Sequence, residues 1–193
     1  MKFDREHTAV LSMDLQAGIV SRYLGDQSAP FLERVARTLG AARACGMRII
    51  HVRVGFRPGL PEISARNPLF AAVKQSPQHQ QLFSGPTGEI HNAVAPREGD
   101  LVVTKHRVSA FAGTDLDLIL RANDIATLVL LGIATSGVVL STALHASDAD
   151  YSLFVIGDCC ADLDPAVHAC LLEKVLPRKG SVLSSAEFVE ALS

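Results

Sequence analysis

Six short apolar runs, at 8–15, 47–54, 100–105, 126–133, 151–158 and 181–184, punctuate the chain, and segments with helical spacing lie between most of them. Runs without polar alternation belong to strands covered on both faces, as in parallel sheets buried under helices. Strand and helix alternating along the whole length therefore specify an α/β chain, a three-layer α/β/α sandwich around a six-stranded parallel sheet. No repeat or linker divides the 193 residues, so one domain over 1–193 is expected.

Phe31, Leu32, Val35, Leu39 and Ala42 recur at helical spacing behind Ser28 and Pro30, placing a first helix over 30–45. Thr114 and Asp117 read as a capping-box start for 116–122, Asp164 with Pro165 starts a helix that Pro177 ends, and Ser184 with Glu187 starts the last one. The stretch 55–98 holds most of the prolines and one helical piece near 69–74. It is too long for a plain connection and reads as an excursion over the functional edge of the sheet.

Residues 125–147 lack Asp, Glu, Lys and Arg and are long enough to cross a bilayer. Their character changes at Gly132, from an apolar run to a small-residue segment holding Thr135, Ser136, Gly137, Ser141 and Thr142, so a buried strand, a turn and a helix are expected instead. A net charge of -2 with no long run of like charges excludes a phosphate-neutralising surface, and with it nucleic acid as a partner. Four cysteines (Cys45, Cys159, Cys160, Cys170) and a start, MKFDREHTAV, without a signal-peptide pattern suit free thiols in the cytoplasm. The expected partner is a small molecule rather than a membrane.

In an open parallel sheet, ligands bind beyond the carboxyl ends of the strands. Asp14 and Gln16 close the first run in VLSMDLQ, Lys105 closes the third in LVVTKHRVSAF, and the turn GIATSG follows the fourth. A carboxylate, an ammonium and a strand-to-helix turn can together move a proton and stabilise an oxyanion. Cys159 and Cys160 follow the fifth run, but adjacent residues of an extended segment point to opposite sides, so they read as small core hydrophobes, as do Cys45 and Cys170 on helix faces. His51 falls inside a strand and His79 and His91 in loops, without ligand spacing.

With those residues in view, the chain resembles the isochorismatase-like, or cysteine hydrolase, family. The resemblance runs through MDLQ (13–16), HVRV (51–54), GD (99–100), VTKHRVSAFAGTDLDLILRA (103–122), LVLLGIATSGVVLSTALHASD (128–148), DCCAD and EKVLP. It implies the family's Rossmann-like hydrolase fold and a site made of Asp14, Lys105 and the residue that opens the helix after the fourth strand. The family places a nucleophilic Cys there; this chain has Val138. A valine forms no thioester, so a covalent amidase route is closed unless another nucleophile substitutes, and Ser136 and Ser141 project away from that position.

Relatives without the thiol hydrolyse vinyl ethers, which implies Asp14 as general acid and Lys105 as its electrostatic partner. The same resemblance assigns the backbone N–H groups of Ala134 and Val138 to the oxyanion hole, Ile133–Ala134 to a cis peptide, and Gly137 to the pocket. Gln16, Arg53, Arg57 and Phe56, with Phe70, are candidates to line the substrate site, an arginine suiting a substrate carboxylate. RVGFRPG supplies none of the metal ligands that nicotinamidase-type relatives carry, so neither metal nor other cofactor is expected. The family also implies a homo-oligomer, dimer or tetramer, with Val139, Leu140 and Leu144 as exposed contacts. The expected activity is non-thiol hydrolysis of a vinyl-ether or amide-type C–O or C–N bond; the alternative is a relative that kept the fold as a small-molecule binding or partner protein.

Overall fold

The computed structural model describes residues 3–192. Its strands are β1 (Thr8–Met13), β2 (Arg48–Val54), β3 (Leu101–Lys105), β4 (Thr127–Ile133), β5 (Ser152–Ala161) and β6 (Ser181–Leu183). They pair in parallel throughout, in the order β3-β2-β1-β4-β5-β6. The helices are α1 (Ala17–Leu24), α2 (Ser28–Ala44), α3 (Pro68–Gln75), α4 (Pro77–Gln81), α5 (Leu116–Ala122), α6 (Leu140–Asp148), α7 (Pro165–Cys170) and α8 (Ser185–Leu192).

The two-residue period of the strands sorts the core into two layers. Leu11, Ile50 and Leu130 face α5 and α6, packing on Leu116, Leu120, Val139 and Ala143. Val10, Ile49 and Leu131 face the other way, onto Val20 of α1, Phe31 and Val35 of α2, and Phe188 of α8. Every residue of β1 is buried, which is why its run reads as apolar without alternation. The expected sandwich and six-stranded parallel sheet are present.

Several boundaries moved for local reasons. α1 was not expected: it follows β1 almost at once, has no side-chain cap at Gln16, and is too short for its period to register. β5 continues past 158 to Ala161 and takes both cysteines into the sheet. Thr114 does not open a capping box with Asp117; Asp115 occupies the cap position without a side-chain bond, and Asp117 pairs with Arg121 at 3.0 Å. Asp164 does cap α7, accepting from Ala166 and Val167, while Pro177 lies in a tight turn, Leu176–Arg178, after a wide one, Leu171–Val175. Ser184 and Glu187 bond reciprocally at the start of α8.

The uncharged stretch 125–147 divides into β4, a wide turn and α6, and no helix among the described residues is long and apolar enough to cross a membrane. Val139 is not an exposed contact: it is fully buried under the sheet, because the wide turn Thr135–Val139 directs it inward. Leu140 is half-buried and Leu144 exposed.

Gly132 is the tightest point. It has φ +136°, and a Cβ there would meet the Met13 carbonyl oxygen at 2.0 Å. β1 and β4 thus approach more closely than any side chain permits, just where the β4–β5 register shifts. Gly132→Ala is expected to cost well over about 1 kcal/mol, read as a lowered denaturant midpoint, because both the backbone angle and the contact oppose it.

Candidate active site

In this strand order the connections diverge between β1 and β4, and a crevice opens beyond their carboxyl ends. Asp14 follows β1 directly. Its backbone turns to φ +55°, a conformation Asp tolerates better than most residues, and its N–H donates to the Val52 carbonyl at 2.8 Å. Lys105, the last residue of β3, is almost fully buried and reaches across the end of β2. Its Nζ lies 2.8 Å from Asp14 Oδ2 and donates to the Arg107 carbonyl at 3.0 Å. Asp14 Oδ1 is buried and has no hydrogen-bond partner.

Two opposed effects act on this carboxyl. Burial favours the neutral acid, while the charge and hydrogen bond of Lys105 favour the carboxylate; burial prevails, and the Asp14 carboxyl is held above its ordinary range. A buried pair of this kind gives little net stability but fixes both groups in one arrangement.

The turn after β4 forms the facing wall. The Ile133–Ala134 peptide is cis, as the resemblance implied. The N–H of Ser136 donates to Asp162 Oδ2 at 2.6 Å, and those of Gly137 and Val139 donate to the Ala134 carbonyl at 3.1 and 3.2 Å. Thr135 Oγ1 lies 3.2 Å from the Ala161 carbonyl and 2.8 Å from His168 Nδ1, so the β5–α7 segment clamps the turn. Ala134, Gly137 and Val138 border a cavity of about 300 Å³ whose floor is Asp14 and Lys105. Phe70 and Val73 of α3 and Leu82 and Phe83 after it close the cavity from the 55–98 excursion. Its volume is at the lower end for small-molecule sites.

Four expected lining residues are elsewhere. Gln16 is fully buried and its amide is spent on the fold: Nε2 donates to the carbonyls of Val54 and Gly88, and Oε1 accepts from the Val54 N–H. Arg53 points away from the cavity because strand alternation turns Val52 and Val54 inward, and its guanidinium pairs with Glu89 at 2.5 Å. Arg57 is exposed and pairs with Glu62 at 2.6 Å within its own loop. Phe56 stands behind the wall, edge-on to Phe70 and Phe83, whose rings it supports.

None of the chain's four thiols borders the cavity. Cys159 and Cys160 face opposite layers, as alternation requires. Burial pushes the Cys159 thiol up to about 11 and raises that of Cys160 as well, so neither is a ready nucleophile. Cys45 is half-buried, but Cys170 is exposed on α7 rather than part of the core. Ser136 is exposed and Ser141 half-buried, and neither lines the cavity.

His51 is locked by Asp100, 3.2 Å from its Nε2, with Arg43 pairing the same carboxylate. His91 accepts from the Ala93 N–H in its own turn. His79 belongs to α4, not to a loop, and borders the cavity. Among the described residues no three His, Cys, Asp or Glu side chains converge as a metal site. Arg22, Tyr23 and Arg107 also border the cavity, and the sequence pattern marks none of them. Only Arg107, two residues beyond Lys105, stood near an available signal.

Comparison with known proteins agrees with this architecture. Residues 8–187 match the Isochorismatase domain. A ureidoacrylate amidohydrolase of Methylorubrum extorquens is 33% identical, with 99% of this chain and 85% of that protein covered. A maleamate amidohydrolase of Pseudomonas putida is 28% identical over 83% of this chain and 74% of its own length. The solved structure of an isochorismatase family protein from Burkholderia thailandensis superposes with a TM-score of 0.84 at 28% identity, covering 99% and 97% of the two chains. The chain belongs to the isochorismatase family and is, like the two amidohydrolases, a hydrolase.

Proposed function

We propose that this hydrolase cleaves a C–O or C–N bond of a small molecule with water as the nucleophile and Asp14 as the proton carrier, without a covalent intermediate. The observation that carries this reading is the Asp14 carboxyl itself, buried, paired on one oxygen with Lys105 and free on the other, on the floor of a cavity that no thiol borders.

For a vinyl ether the chemistry runs as follows. Asp14 Oδ1 gives its proton to the alkene carbon, and positive charge develops on the ether-bearing carbon beside the newly formed carboxylate, which Lys105 stabilises. Water adds to that carbon and returns a proton to Asp14. The hemiketal then breaks its C–O bond to leave a carbonyl compound and an alcohol. For an amide, water adds to the carbonyl, the N–H groups of Ala134 and Val138 receive the oxyanion, the Asp14 proton goes to the departing nitrogen, and the added water returns a proton to the Asp14 carboxylate. Both routes require the protonated acid, in one to protonate the alkene carbon and in the other to protonate the departing nitrogen.

That requirement fixes a sign. Because burial holds Asp14 above the ordinary carboxylate range, the acid form persists to higher pH than it would in water. Turnover is expected to decline as pH rises through this raised value, and the declining limb should be absent from any residual activity of Asp14→Asn. A rate that instead climbs through the same region would assign Asp14 to the base role and contradict the proposal.

Val138 also favours a second reading, since a chain that has lost the family's nucleophile can persist as a binding protein. The two part on turnover by the wild type: a binding protein would take up small amides or vinyl ethers and release them unchanged.

A further inference from the structure

The cavity holds more positive charge than its single carboxylate answers. Asp14 is the one acid on its wall, and Lys105 already pairs with it at 2.8 Å. Two guanidinium groups remain, Arg22 from α1 and Arg107 from the segment after β3. Among the described residues neither has a carboxylate within ion-pair distance.

The two differ in freedom. Arg107 is held in place: it donates to the carbonyls of His106 and Glu62 at 2.6 and 3.0 Å and lies 5.6 Å over the Phe70 ring. The Glu62 carboxylate is committed to Arg57. Arg22, in the last turn of α1, is exposed and makes no side-chain hydrogen bond among the described residues. The other polar neighbours, Tyr23 and His79, bring no negative charge, because burial and the nearby Asp162 keep the Tyr23 phenol neutral. Most of the remaining wall is hydrocarbon, chiefly Ile19, Leu69, Phe70, Val73 and Phe83.

We propose that the cavity selects a small carboxylate with an apolar body, and that Arg22 is the specificity-determining residue that receives the carboxylate. The inference rests on the hydrolase reading for what happens to the ligand after binding, but not for the binding itself. A planar guanidinium at the rim of an apolar cleft makes charge-assisted, two-pronged bonds to a carboxylate, which a neutral isostere cannot repay. An ammonium-bearing ligand of the same shape would be repelled by Arg22 and Arg107 together. Arginines 53 and 57, which the sequence offered for this role, are committed to Glu89 and Glu62 outside the cavity.

The test uses three probes that share a phenyl ring and contain no bond the protein could hydrolyse: benzoate, acetophenone and benzylamine. Calorimetric titration of the wild-type chain is expected to show benzoate binding at least about tenfold more tightly than acetophenone, with benzylamine weakest, and the gap narrowing as salt is raised. Arg22→Gln, an exposed position whose change should leave the melting temperature nearly untouched, is expected to weaken benzoate about tenfold and acetophenone by less than about twofold. Equal affinity for benzoate and acetophenone would overturn the inference, as would a benzoate preference that survives Arg22→Gln or is lost only in Arg107→Gln. Failure of benzoate to bind at millimolar concentration would overturn it too. None of these outcomes depends on turnover, so an inactive wild type would count against the hydrolase reading alone.

Discussion

Asp14→Asn is expected to lower turnover by about two to four orders of magnitude while leaving ligand affinity within several fold. Asparagine keeps the volume and an oxygen near Lys105, so the cavity floor is preserved. What disappears is the transferable proton. Circular dichroism and the melting curve check that the variant folds, and equilibrium binding of a non-hydrolysable carboxylate checks that the pocket is intact. A variant that binds normally yet turns over at the wild-type rate would remove Asp14 from the chemistry.

The second large effect is on stability. Lys105→Met fills similar space but leaves the Asp14 carboxyl buried with neither oxygen paired, since Oδ1 is already without a partner and Oδ2 loses its own. Breaking a buried pair in this way costs about 3–5 kcal/mol when the remaining group is charged. Asp14 escapes part of that cost by taking up a proton, which makes the loss pH-dependent. Its carboxyl is already raised in the folded wild type, and removing the lowering influence of Lys105 raises it further. A group raised on folding contributes stability that is fully present below its unfolded value, 3.8, and is lost as pH rises through the folded value. The deficit of Lys105→Met relative to wild type is therefore expected to be larger at about pH 8 than at about pH 5, measured as denaturant midpoints. An equal deficit at both would mean that the stranded group is not Asp14.

The parts of the site legible in the sequence were those set by local pattern. Asp14 and Lys105 each end an apolar run, and the end of a parallel strand is where an α/β sheet exposes chemistry, so two charged residues there stood out. The turn at 132–138 was legible for the same reason. Gln16 shows where this fails: its amide straps Val54 and Gly88 through contacts 38 and 72 residues away, which no local spacing records. Arg53 failed for a different reason. Its run is apolar enough to hide the alternation that turns it away from Val52 and Val54, onto Glu89.

The excursion at 55–98 was legible as an excursion but not as a wall. Its shape comes from a small cluster of its own, Ile63, Phe70 and Val73 with Phe56 and Phe83 against them, drawn from positions too scattered to show a period. α1 is eight residues long and lacks a capping side chain, so no local pattern marks it or the Arg22 and Tyr23 that it carries to the cavity. Residues that only tertiary packing brings to the cavity were thus invisible, while those that strand ends deliver were not.

The central claim is that a carboxyl group, not a thiol, carries the reaction. It is tested most directly by measuring product release from a panel of small amides and vinyl-ether carboxylates with the wild type and Asp14→Asn side by side, following the intact protein mass in the same samples. The expected result is turnover of at least one compound by the wild type, turnover at least about a hundredfold slower with Asp14→Asn, and no mass increase on either protein. Turnover near the wild-type rate in Asp14→Asn, a covalent adduct on the wild type, or a wild type that turns over nothing would contradict it.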